Sequence, residues 1–170
     1  MDATAYIAAL ARNPAAIVAL ARAMPADQVR WRPAPAEWSA LEVINHLADE
    51  EREDFRMRLD FVLHQQGETP PANHPGEWVI ARAYNERGLD ESLARFQRER
   101  EQSLTWLRGL TAADWSRAWE VAPGYSLRAG DLLAAWAAHD LLHLRQLVEL
   151  QYECRRQQAA PYRVEYAGDW

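Results

Sequence analysis

Two histidines four residues apart, His139 and His143, interrupt an apolar run near the C-terminal end of the sequence. At the helical angle of about 100° per residue they share one stripe, about 80° wide, with Leu132, Trp136, Leu147 and Leu150. Each buried imidazole has two ring nitrogens to satisfy, so two rings on one core-facing stripe are costly unless something engages both. A divalent cation does so, because an i,i+4 pair presents both rings to one point. The competing reading is a pair of hydrogen-bonded cleft histidines. A third ligand must come from elsewhere, and His46, His64 and His74 are the remaining histidines. His64 falls at the expected end of a helix, where the dipole favours a solvated cation, and His74 adjoins Pro75 in an expected loop. His46, deep in its helix, is the candidate. Periodicity leaves it open, since His46 lies about 170° from the aliphatic stripe Leu41, Ile44, Ala48, Phe55, Leu59 and Val62, on a second face with Val43, Glu50, Glu53, Met57 and Phe61.

Three imidazole nitrogens would leave one tetrahedral position free, the pattern of a catalytic metal site. Its occupant could be water, activated for hydrolysis, or a low-molecular-weight thiol, made nucleophilic as thiolate. Imidazoles suit several divalent metals, and zinc or nickel is expected. Glu50, one turn after His46, is read as a partner of that ring or a general base, against the plainer reading of a surface glutamate. Gln146, near His143, is expected to orient that ring or a ligand. Glu51 and Arg100 both fall on apolar faces and are expected to pair, because a lone buried charge is strongly unfavourable; the alternative is a role in orienting substrate. Cys154 lies 11 residues beyond His143, about 16 Å along a helix, too far to be the nucleophile. The sequence contains no nucleophile elbow, no glycine-rich phosphate loop, and no Glu-x-x-His pair of the kind a diiron bundle needs.

Helices must position these residues. Glycine is scarce and the long stretches are rich in Ala, Leu, Glu and Arg. The first helix is expected to begin at Asn13-Pro14, after a helical lead-in over 2–11, and to reach Met24. A proline-rich loop over 25–37 follows. Ser39 and Glu42 make a capping box for a second helix running to about Gln66. Residues 67–88 read as mostly loop, Leu89 to Leu110 as the third helix, and 111–114 as a turn. Ser126 is expected to cap the fourth helix, which reaches about Arg155 before a partly extended tail. Four long helices in 170 residues imply a single all-α domain, a four-helix bundle with its core over about 13–155. Helix two has two partly apolar faces, so a homodimer is expected.

Composition narrows the class. Acidic residues number 25 against 19 basic ones, giving a net charge of −6 that argues against nucleic acid as partner. One cysteine excludes an internal disulfide and any cysteine-based zinc motif. With no run of 18 apolar residues and no positive n-region at the start, neither a membrane span nor a signal peptide is expected. A cytoplasmic protein acting on a small molecule is the expectation.

The string Trp31-Arg32-Pro33, Glu37-Trp38-Ser39, Glu42-Val43, His46-Leu47-Ala48-Asp49-Glu50-Glu51 resembles the DinB/YfiT-like family. Tyr84, Phe96, Arg100, Asp114-Trp115 and His139-Asp140-Leu141-Leu142-His143-Leu144-Arg145-Gln146 continue the likeness. It implies a four-helix bundle with a divalent metal held by His46, His139 and His143. Characterised members of that family include thiol S-transferases and a thiol-dependent isomerase. The isomerase-like branch carries a glutamate where this chain has His139, and the ergothioneine-synthesis branch a glutamate where this chain has Arg145. The resemblance therefore implies, first, transfer of a small thiol to an electrophile, with metal-dependent hydrolysis or a non-catalytic stress-related metal-binding role as alternatives.

Overall fold

The structure, a computed structural model, describes residues 1–65 and 70–168. Helix α1 spans Ala3–Arg22 and the short α2 Ala26–Val29. Helix α3, Ala40–Glu50, runs through a π-helical turn, Glu51–Arg56, into α4, Met57–His64. The short α5, Pro75–Ala81, precedes α6, Leu89–Gly109. A two-stranded antiparallel hairpin, β1 Ala118–Ala122 and β2 Tyr125–Arg128, leads into α7, Ala129–Gln158. Helix α1, the α3–α4 rod, α6 and α7 make the four-helix bundle that the sequence implies. Its core falls into two apolar clusters. One gathers Ile17, Leu41, Ile44, Leu93, Phe96 and Leu147. The other gathers Leu10, Phe55, Leu59, Leu104, Leu133 and Trp136.

Four boundaries differ from the sequence reading. The first helix begins ten residues early: Asp2 caps it, its Oδ1 accepting from the Thr4 amide at 3.1 Å, and Pro14 sits inside it. A proline at 14 removes the amide that would bond the Leu10 carbonyl four residues back. That carbonyl instead accepts from Arg100 Nη1 at 2.7 Å, so the proline is absorbed by the bundle and does not end the helix. Ser126 is a strand residue and caps nothing. Helix α7 starts at Ala129, where Asp131 Oδ2 accepts from the Arg128 amide at 2.9 Å. The hairpin before it turns at Pro123-Gly124, with Gly124 at φ +76°, a conformation that favours glycine. Within the expected loop over 67–88, Pro75 opens a helix of two turns. The end of helix two at Gln66 and the break at Gly67 lie outside the described residues.

Two further expectations change their footing. By length and composition alone α1 could cross a membrane, although the sequence has no unbroken apolar run of that length. In the fold it is a bundle helix: Leu10, Ile17 and Ala21 are fully buried, and Asn13 donates to Asp140 on α7 at 3.0 Å. Every residue of Ala40–Glu50 is buried within the one chain. Of the second face that suggests a homodimer, Val43, Glu50 and Phe61 are buried within the chain, while Glu53 and Met57 are half-buried.

Candidate metal centre

Helix α3 brings the first histidine. Its capping box closes as Ser39 Oγ accepts from the Glu42 amide at 3.2 Å while Glu42 Oε2 accepts from the Ser39 amide at 2.8 Å. Arg32 Nε donates to the same Glu42 oxygen at 2.9 Å, which ties the Trp31–Trp38 loop to the helix start. The loop then lays Trp38 on the imidazole of His46, ring centroids 4.8 Å apart. This cover explains why His46, on the face opposite the aliphatic stripe, is only 5% exposed. Helix α7 supplies His139 and His143 one turn apart, with the Phe55 ring 5.0 Å from that of His139.

The three rings converge. His46 Nε2 lies 3.4 Å from His139 Nε2, and His143 Nε2 lies 3.0 Å from the same atom. One ligand nitrogen from each histidine can be chosen so that all three lie within 4.8 Å of one another. Hydrogen bonding alone does not account for this. A ring nitrogen carries either one proton or one lone pair, so His139 Nε2 can serve only one of its two neighbours. A cation between the nitrogens serves all three, and ligand atoms about 2.1 Å from a tetrahedral ion stand about 3.4 Å apart. The donor set fits a divalent metal.

Electrostatics agree. Burial, reinforced by the other two rings, pushes the His46 pKa down to about 2. Burial and the nearby His143 bring His139 down to about 4, and burial lowers His143 as well. All three are therefore neutral near pH 7 and offer lone pairs.

Gln146 and Glu50 stand beside the histidines, and Glu51 and Arg100 lie on the elements packed against them. Gln146 Oε1 stands 2.8 Å from His143 Nδ1, which leaves the opposite nitrogen, Nε2, for the centre. Glu50 is 5% exposed, not a surface residue, and its Oε1 lies 3.9 Å from His46 Nδ1. Both atoms are buried without a hydrogen-bond partner. Burial, with the Asp54 carboxylate beside it, raises the Glu50 pKa well above the carboxylate range. Glu50 thus sits behind the His46 ring, on the nitrogen that faces away from the other histidines. Arg100 and Glu51 do pair: Arg100 Nε donates to Glu51 Oε1 at 2.8 Å, and Trp136 Nε1 donates to the same oxygen at 2.8 Å. Arg100 also grips Asp140 through Nη1 at 2.8 Å and Nη2 at 2.7 Å. At 2% exposure Arg100 meets no substrate; it clamps the helices that carry the histidines. His64, bonded to Asp60 at 2.9 Å, and His74, before α5, lie outside the cluster.

Sequence reasoning missed three participants. Trp38 precedes its helix and carries no periodic signal that would place it on His46. Asp54 stands one turn after Glu50, close enough to raise its pKa. Asp140 follows His139 directly and faces the Arg100 clamp.

Comparison with known proteins agrees with this architecture. No curated protein matches the sequence. Among solved structures, the chain is similar to YfiT from Bacillus subtilis, with a TM-score of 0.78 and 19% identity over 89% of this chain and 87% of that one. YfiT is reported as "a probable metal-dependent hydrolase with an unusual four-helix bundle topology"; at this identity the likeness concerns the fold. The profile of the DinB superfamily matches residues 9–147, most of the sequence and all three histidines. The chain belongs to the DinB superfamily.

Proposed function

We propose that the protein is a metal-dependent enzyme that transfers a low-molecular-weight thiol to a small electrophile, using a divalent ion held by His46, His139 and His143. The observation that carries this reading is the shared contact at His139 Nε2, which hydrogen bonds cannot satisfy and a cation can. A divalent ion there would supply Lewis acidity, lowering the pKa of a coordinated thiol or water. Three neutral imidazoles leave its full charge to favour an anionic guest. In the transfer the thiol sulfur forms a bond to an electrophilic carbon, the leaving group departs with its electron pair, and the thiol proton passes to solvent. The residues hold and exclude: Gln146 fixes the His143 ring, Glu50 backs His46, and Trp38 and Phe55 keep water off the imidazoles.

Hydrolysis is the second reading, favoured by the buried Glu50 and by the description of YfiT. Glu50 supports it only weakly, since it lies behind His46 and away from the other two rings. Conjugation of a bimane-type electrophile with a panel of thiols, with and without chelator, separates the two. Metal-dependent thioether formation supports transfer. Metal-dependent cleavage of simple esters or amides without any thiol dependence replaces transfer by hydrolysis.

A further inference from the structure

One histidine of the triad, His143, lines the wall of a cleft of about 780 Å³. The cleft adjoins the buried centre: the His46 ring lies between Trp38 and His143, with ring centroids 4.8 Å from each, and both of those residues line the cleft. A small molecule that enters this cleft reaches His143 along these walls.

The walls carry one sign of charge. Glu37, Glu149 and Glu153 line the cleft, and no arginine does. Arg145 meets Glu149 at 2.6 Å and Arg156 meets Glu153 at 2.6 Å, but these guanidinium side chains are more than half exposed and outside the lining. They offset part of the field without offering an anion a partner in the cleft. The Glu37 carboxylate has no hydrogen bond or ion pair among the described residues, its backbone amide alone bonding the Ala34 carbonyl at 3.0 Å. The remaining polar group in the wall is the Gln146 amide, and the aromatic group is the Trp38 indole. Carboxylates and an indole lining one cleft form the kind of surface that attracts an ammonium group, by charge and by the ring quadrupole. A carboxylated guest meets the unpaired Glu37 carboxylate and two more carboxylates whose charge the exposed arginines offset in part.

We infer that this cleft selects cationic over anionic small molecules, so that the thiol used at the centre is an ammonium-bearing or neutral one and not a carboxylated one. The inference rests on the proposed thiol reading for its choice of substrate, but its charge preference stands on the cleft alone.

Two measurements keep these apart. The first uses a pair of nitroxides of equal size, 4-amino-TEMPO and 4-carboxy-TEMPO, against the full ¹⁵N-labelled chain. The amine is expected to broaden the Trp38 indole and Gln146 amide signals severalfold more than the acid. That ratio should shrink in Glu37→Gln and more in Glu37→Gln/Glu149→Gln/Glu153→Gln, whose fold is checked by circular dichroism, and it should shrink with added salt in the wild type. Equal broadening by both probes, or a ratio unchanged in the triple variant, overturns the inference. The second titrates Co²⁺-loaded protein with cysteamine, 2-mercaptoethanol and mercaptoacetate, reading the thiolate-to-cobalt absorption band. Cysteamine is expected to bind on the order of tenfold more tightly than mercaptoacetate. The same thiol compared between wild type and triple variant cancels its intrinsic acidity. A nitroxide preference without any thiolate band supports the cleft inference and sinks the thiol reading. A band of equal affinity for all three thiols, with the same ranking in the variant, sinks the inference and leaves the thiol reading in place.

Discussion

At the residue scale the centre depends on nitrogen geometry, and each ligand has a distinct support. His143 is fixed by Gln146 and His46 is flanked by Trp38 and Glu50, whereas His139 touches both other rings through one atom. Removing His139 should therefore be the most damaging change. Purified protein is expected to carry about one divalent metal per chain. His139→Ala, or His139→Ala/His143→Ala, should reduce it to a small fraction, as read by elemental analysis of tag-free protein; full occupancy in the double variant would remove these residues from the site. Glu50 acts through His46 and not on a guest. Glu50→Gln keeps its shape and is expected to weaken metal affinity by about tenfold, the usual range for a carboxylate behind a ligating histidine. Competition against a chromophoric chelator measures this. An unchanged affinity would mean that the carboxylate does not support the ring.

At the element scale, Arg100 joins α6 to the start of the π turn through Glu51, to α7 through Asp140 and to α1 through the Leu10 carbonyl. It thereby holds apart and in register the two rods that carry the histidines. Breaking such a buried pair by removing one partner costs about 3–5 kcal/mol, so Arg100→Ala should lower the denaturant midpoint sharply. Arg100→Met, which removes the charge but fills space, should cost as much if the two orphaned carboxylates dominate and less if packing does. Much of this framework was legible in the sequence. The i,i+4 histidines, the Ser39–Glu42 box and the polar residues on apolar faces each break a pattern for a stated physical reason. The rest depended on tertiary partners. Pro14 reads as a helix start because the sequence does not reveal that an arginine 86 residues away will take the carbonyl it leaves free. The hairpin hid behind Ser126, a good cap in isolation. Its Pro123-Gly124 turn flanked by alternating residues was the signal available for it. A regular helical wheel also cannot show His46 as buried, since its cover comes from the Trp38 loop.

At the scale of the whole molecule, burying three imidazoles links folding to pH and to metal. In an unfolded chain the histidines titrate near 6.5. In the metal-free fold the His139 pKa falls to about 4 and that of His46 to about 2, chiefly through burial. A depressed pKa contributes stability that is present above about 6.5 and is lost as pH falls toward the folded value, because the unfolded chain takes up protons first. Glu50 works in the opposite sense. Its raised pKa gives stability at low pH that fades as pH rises through its folded value. The two effects overlap, so the histidine contribution is best read in Glu50→Gln. In that background the metal-free protein should lose stability steadily between pH 7 and 5, a window in which ordinary carboxylates hardly titrate. Adding His139→Gln should flatten the slope. Metal sharpens the same dependence. Binding needs neutral imidazoles and adds stability only to the fold, by an amount that grows with the ratio of free metal to dissociation constant. Saturating metal should thus raise the melting temperature at pH 7.5, and chelator should remove the increment. The increment should shrink toward zero by pH 5, as protons compete for the same nitrogens. A melting temperature insensitive to both chelator and metal at pH 7.5 would mean that no ion binds the folded centre, and the three rings would then be a polar core cluster.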